Sequence, residues 1–230
     1  MLSRKGKIKE EVSKDEDDHV KERKSIRDGK LEGEYTSYFN NGQVIARLGF
    51  VNGLREGDAT SYFENGQIKE KGTFRNDALE GEYVSYHENG QIKELENYRD
   101  GKPDGKYTSF FSNGQMKDVE FFRDGKFHGE YVSYYKNGQI KEKGYFKNDK
   151  RDGEYTAYYS DGRIREKAIF KNGKLEGEFL SFQNGTAETR DDEESGQTAA
   201  GDMDDLKKKE TRIDDLLKSL RDFDKELKEG

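Results

Sequence analysis

The segment "ENGQIKEKG" at residues 64–72 returns, with one change, as "KNGQIKEKG" at residues 136–144, three periods of 24 further on. Glycines reveal the period. Gly33, Gly57, Gly81, Gly105, Gly129, Gly153 and Gly177 are spaced by 24 without an insertion. Gly42, Gly66, Gly90, Gly114, Gly138 and Gly162 form a second ladder in phase with the first. Six complete units run from Gly33, and a seventh starts at Gly177 and is expected to stop after one strand. A fixed period of this length marks a repeat architecture.

Each unit reads roughly "GEYxSYYxNGQIKEKGxFKNGKLE". It carries two turn signals: Asn-Gly within "NGQ", and Asn-Gly, Asp-Gly or Asn-Asp after the Phe. Such pairs favour the type I′ hairpin turn, whose two central residues need positive φ. Between the turns lie segments of about 8–10 residues rich in Tyr, Phe, Ile, Val and Thr, the composition of strands. The expected fold is all-β: an elongated single-layer antiparallel β-hairpin array followed by one C-terminal α-helix.

A type I′ turn centred on Asn65-Gly66 pairs Glu64 with Gln67, Phe63 with Ile68 and Tyr62 with Lys69. Side chains alternate across a strand, so one face should collect the rows of Tyr35, Phe39, Val44 and Phe50, joined by Leu31, Leu79, Phe127 and Leu175. The other should collect the rows of Thr36, Tyr38, Lys69 and Lys71, with Arg75, Arg99, Arg123, Lys147 and Lys171. Ser61–Glu70, Ser85–Glu94 and Ser133–Glu142 face one another in the middle of the apolar face. A sealed row of carboxylates is costly, so water is expected along a groove there.

The ends differ from the array. Residues 1–30 resemble a unit only loosely and read as a degenerate N-terminal capping repeat, with the regular array at 31–183. Residues 184–201, acidic and nearly free of large apolar groups, read as a flexible linker. In residues 202–230, Leu206, Ile213, Leu220 and Leu227 share one heptad position, and Leu216 and Phe223 the other. Those six residues are the expected surface for coiled-coil self-association or docking, on a helix of about 38 Å.

Composition narrows the function. Of the 230 residues 40% are charged and only 30% hydrophobic, yet 12% are aromatic. Apolar mass is thus concentrated in rings at fixed intervals. The net charge of −7 comes mostly from residues 184–230, with 9 basic and 15 acidic groups; the rest holds 33 and 34. No basic domain exists to hold nucleic acid. Cysteine is absent, which removes disulfides and thiolate chemistry. With no apolar leader or membrane-spanning run, the expectation is a soluble, cytoplasmic protein.

"DGKLEGEY..YFNNGQ" and "NGQIKEKG.FKN" resemble the bacterial-type variant of the MORN repeat, over about residues 19–185. The resemblance implies a non-enzymatic hairpin array that mediates protein association. It also implies, for some members, an antitoxin role beside a toxin partner, and for MORN repeats generally contact with acidic membrane lipids.

Chemistry finds little purchase. His19, His87 and His128 fall at different repeat positions, so no metal site is expected. Glu70, Glu94, Asp118, Glu142 and Glu166 are alike and about 9.6 Å apart, whereas acid–base catalysis needs a differentiated pair. We therefore expect no enzyme, no cofactor, and neither nucleic acid nor a small-molecule substrate as partner. Exposed aromatic patches mark interaction sites, so the candidate partner-binding residues are Tyr83, Tyr107, Tyr131 and Tyr155, with Phe111, Tyr135 and Tyr159 beside them. The partner would be another protein or a second copy. The alternative is an acidic membrane surface met by Arg75, Arg99, Arg123, Lys147 and Lys171.

Overall fold

A computed structural model of the chain describes residues 6–183 and the strand Thr186–Arg190. These residues form one sheet of 20 strands. Every pairing is antiparallel and joins strands that are close neighbours along the chain. The sheet opens with Lys9–Lys14 and Val20–Arg27. Six units then run outward through Gly33–Tyr38, Leu54–Tyr62, Ala78–Tyr86, Gly105–Phe110, Lys126–Tyr134 and Gly153–Tyr158. They return through Val44–Val51, Ile68–Arg75, Ile92–Arg99, Met116–Arg123, Ile140–Lys147 and Ile164–Lys171. Two-residue strands at Lys30–Leu31, Lys102–Pro103, Lys150–Arg151 and Lys174–Leu175 lead into four outward strands, and Phe179–Gln183 with Thr186–Arg190 closes the sheet.

The two turns of a unit are of different kinds. At the turn after the Phe, both central residues are left-handed, as in Asn52 (φ 54°) and Gly53 (φ 85°), so the expected type I′ turn forms. At the "NGQ" turn only the glycine is left-handed, Gly66 at φ 82°. The Gly66 amide donates to the Phe63 carbonyl and the Phe63 amide to the Gln67 carbonyl, both at 2.8 Å, which makes a three-residue loop with a glycine bulge. The residue before the glycine acts here through its side-chain oxygen, which Asp161 also supplies in the sixth unit. Asn65 Oδ1 accepts the Gln67 amide at 2.9 Å. In Asn89 and Asn137, Nδ2 also donates to the carbonyl one unit on, Ser112 at 2.7 Å and Ser160 at 2.9 Å.

This loop corrects the register read from the sequence. Phe63 faces Gln67, so Tyr62 pairs with Ile68 rather than Lys69, and a bulge then restores Ser61 to Glu70. The same shift recurs after Ser37, Ser85, Ser109, Ser133 and Ala157. Two one-residue slips cancel along the strand but exchange two rows between faces. Val44 pairs with Tyr38 and Ile68 with Tyr62, opposite the buried tyrosines, and Ile68, Ile92, Met116 and Ile140 are exposed. The bulged row turns the other way: Ile45 packs on the core, Arg165 lies 3.4 Å from Glu166, and Lys117 lies 3.6 Å from Asp118.

The core lies along what we call the tyrosine face. Tyr35, Tyr83, Tyr107, Tyr131 and Tyr155 are 4–7% exposed and pack with Phe50, Phe74, Tyr98, Phe146 and Phe170. Among the described residues no large side chain is sealed completely, as expected for a single layer. Where Arg55 and Arg151 replace the apolar residue at the Leu31 position, their guanidinium groups stack 4.4 Å from Phe74 and Tyr155.

Both ends of the array are longer than expected. The cap contains a true hairpin, Lys9–Lys14 with Val20–Arg27, in register with the first unit. Residues 186–190 are not linker: Thr186–Arg190 pairs with Phe179–Gln183, so the seventh unit has its second strand. An added strand satisfies amides and carbonyls that an open edge would expose. The expected helix at 202–230, with Leu206, Ile213, Leu216, Leu220, Phe223 and Leu227, lies outside the described residues.

Candidate functional site

A ladder of tyrosines and acids runs along the tyrosine face. Three of the tyrosines reach back 13 residues to the acid of the preceding unit: Tyr35 to Glu22 at 3.1 Å, Tyr107 to Glu94 at 3.2 Å and Tyr155 to Glu142 at 3.1 Å. Glu70 stands near enough to Tyr83 to help hold its hydroxyl protonated. Serines across the strand pair add a second donor, Ser61 to Glu70 at 3.4 Å, Ser85 to Glu94 at 3.1 Å and Ser109 to Asp118 at 2.7 Å. Internal hydrogen bonds therefore take the place of water along much of the row and Glu142 is buried, while the expected groove persists beside Glu94, Asp118 and Glu142. Burial, then the neighbouring carboxylates, push the hydroxyls of Tyr83, Tyr98, Tyr107 and Tyr155 well above their ordinary range, which keeps them donors.

Burial also raises the Glu70 carboxyl above its ordinary 4.5, against the pull of Lys69 and the Ser61 hydroxyl. The folded state then binds more protons than the unfolded one between 4.5 and that raised value. Stability contributed by this group falls as pH rises through the window and stays lower above it. Glu70→Gln should flatten that part of the curve. Urea denaturation of both proteins from about pH 4 to 7 reads the difference, and parallel curves would count against a desolvated Glu70.

The ladder changes character at the fifth unit. The acid behind Tyr131 is Asp118, one methylene shorter than Glu and already bonded to Ser109. Across from Tyr131 stands Gly144, where a Cβ would lie 2.7 Å from the tyrosine ring. Phe127, alone in its row as an aromatic, sits 4.3 Å from Phe122 and 5.5 Å from Phe146, centroid to centroid. Tyr131 consequently tilts at 47° against Phe146 with centroids 4.9 Å apart, whereas Tyr35, Tyr83, Tyr107 and Tyr155 meet their partners edge-on at 76–81°.

Over this irregularity lies a groove of about 850 Å³. Its rings include Tyr107, Phe111, Tyr131, Tyr135 and Phe146, and its carboxylates are Glu94, Asp118, Glu120 and Glu142. Lys93, Lys117 and Lys141 of the bulged row line it too, so acids and bases alternate. The Ser133 hydroxyl, opposite Glu142, is buried there without a hydrogen-bond partner.

Of the candidate contact residues, Tyr107, Phe111, Tyr131 and Tyr135 come together in this groove, while Tyr83, Tyr155 and Tyr159 lie outside its lining. The buried tyrosines form its floor. Phe111 and Tyr135 are half-buried walls; Tyr135 and Tyr159 donate to the carbonyls of Tyr158 and Phe182 at 2.8 and 2.9 Å. Among the described residues no group of acids and histidines could hold a metal ion. His87 instead contacts the Phe110 carbonyl at 3.0 Å.

Arg75, Arg99, Arg123, Lys147 and Lys171 are all exposed. The structure adds a second basic row directly across from four of them: Lys102, Lys126, Lys150 and Lys174. That doubling was readable from the two-residue turns between the rows and was missed. Also missed was the acid that caps five of the type I′ turns. Glu32, Glu56, Glu80, Asp104 and Asp152 each accept the amide 20 residues on. His128 occupies this position in the fifth unit, and its buried Nδ1 has no partner.

The family model for the MORN repeat variant matches residues 31–52, 55–76, 79–100, 103–126, 127–148 and 151–172. No curated protein matches the chain. The matched blocks track the hairpins one by one, from the strand entering each unit to its type I′ turn. Six consecutive matches, covering more than half of the chain and in phase with its strands, place this protein in the MORN repeat variant family.

Proposed function

We propose that the array is a non-catalytic binding or scaffold module that receives a protein partner on the tyrosine face, in the groove over the fifth unit. One observation carries this reading. The groove forms where the regular ladder is interrupted, with Phe111 and Tyr135 as aromatic walls and a buried, unpartnered Ser133 hydroxyl. Large rings beside paired charges suit a protein surface. The acids of the row are engaged by Tyr and Ser hydroxyls, which supports a binding rather than a catalytic reading. Antitoxin activity would be one instance of such binding, with a toxin as the partner.

The doubled basic rows favour a second reading, contact with acidic phospholipid along the type I′ edge. A basic residue near a charged bilayer contributes about 1 kcal/mol. Two variants separate the readings: Phe111→Glu in the groove, and Arg99→Glu with Arg123→Glu on the edge. Proteins recovered with wild-type bait from its native source should be lost with the groove variant and kept with the edge variant. Sedimentation with acidic liposomes that is abolished only by the edge variant would favour the lipid reading instead.

A further inference from the structure

The face opposite the tyrosines is not uniform. In the first three units, one of its rows holds Gly49, Thr73 and Asn97; in the last three it holds Phe121, Tyr145 and Ile169. These three are 39%, 38% and 48% exposed. The neighbouring strand cannot cover two of them, because Phe121 and Tyr145 lie against Gly129 and Gly153, which have no side chain. An apolar row thus begins midway along the array and runs to its C-terminal end.

The chain is delivered to that row. Ile169 pairs with Glu154, and the next strand places Glu178 in line with them. Thr186–Arg190 pairs Arg190 with Phe179, one residue from Glu178. The last described strand therefore ends beside the last apolar member. Residues 191–201 reach at most about 36–40 Å when extended, enough to turn back over the row.

Residues 202–230 carry a matching period. Leu206, Ile213, Leu220 and Leu227 recur every seven residues, about 10.5 Å along a helix. Members of the sheet row recur every second strand, about 9.6 Å. Over three contacts the two ladders drift apart by only about 2 Å, within the reach of a side chain. We propose that residues 202–230 dock as a helix across Ile169, Tyr145 and Phe121, running back toward the middle of the array. This inference does not rest on the groove reading, because it uses the other face and leaves the groove open.

The absence of cysteine makes the test direct. A nitroxide is attached to the full chain at Ser219→Cys, and aromatic and methyl side-chain signals, which project from one face or the other, are compared with the label oxidised and reduced. Loss of signal around Tyr145 and Phe121, and none at Thr73 or Phe111, is the expected result. The same label in Phe121→Thr/Tyr145→Thr/Ile169→Thr should bleach no side-chain signal on either face. Threonine already occupies this row at Thr73, so the sheet should fold, and the amide spectrum checks that it does. Bleaching on the groove side would overturn the proposal, as would bleaching of unlabelled molecules mixed with labelled ones, which would mean a coiled coil between copies. Signals unaffected on both faces would overturn it as well.

Discussion

Tyr155→Ala is expected to destabilise the array by about 3–5 kcal/mol, and Tyr155→Phe by about 1–3 kcal/mol. The larger value reflects what the ring touches. It is 5% exposed, meets Phe170 edge-on at 6.1 Å and carries the Arg151 guanidinium at 4.4 Å. Removing it opens a cavity and takes away the surface on which a half-buried cation stacks. The smaller value isolates the hydroxyl, which donates to Glu142 at 3.1 Å and to Glu166 at 3.4 Å. Phenylalanine keeps the ring contacts and withdraws a donor from the buried Glu142.

The effect should also be local. Among the described residues each hairpin pairs only with its sequence neighbours, so stability is close to a sum of unit and interface contributions. Amide exchange after Tyr155→Phe should therefore accelerate in the strands Ile140–Lys147 to Phe179–Gln183, while Val44–Val51 keeps its protection. Equal acceleration along the whole array would contradict nearest-neighbour coupling, whatever the total loss.

The sequence made the array legible because its strongest signals are local and repeated. Period, strand composition and turn dipeptides need no knowledge of partners across the sheet, and the buried Tyr35, Phe50 and Leu79 came from simple alternation. Alternation failed within two residues of the "NGQ" turn. Asn-Gly is compatible with a two-residue or a three-residue loop, and only the loop length decides whether Ile68 or Lys69 faces the tyrosines. The groove was hidden for a different reason. It arises from small departures, Asp118 for Glu and Gly144 opposite Tyr131, whose consequence depends on how Phe127 packs. A period averages such departures away. The closing strand Thr186–Arg190 was obscured by the acidity of its surroundings, although Asn184-Gly185 is the same hairpin signal used upstream.

Deleting residues 60–83, one full period, should leave a folded array shorter by one hairpin, whereas deleting residues 60–82 should sever it. The 24-residue deletion joins Ala59 to Val84. Ala59 already stands where other units place their buried tyrosine, so the joined strand keeps its register on both sides. The denaturant dependence of unfolding should fall by roughly one-seventh, in proportion to the surface lost. The 23-residue deletion leaves one extra residue, Tyr83, in mid-strand. A one-residue slip sends every later side chain to the other face, and the strand is paired on both flanks, so a single bulge cannot absorb it. Ser85 and Glu94 would stay paired across their own turn, but Val84 would then stand opposite Ala46, where Ser61 stands now, and the Ser85–Glu94 pair would leave the tyrosine face. The expected result is two uncoupled transitions, one for each side of the break, read by urea unfolding with amide exchange. A single cooperative transition for the 23-residue deletion would show that register in this sheet is set unit by unit at the turns, and that the tyrosine ladder adjusts to it.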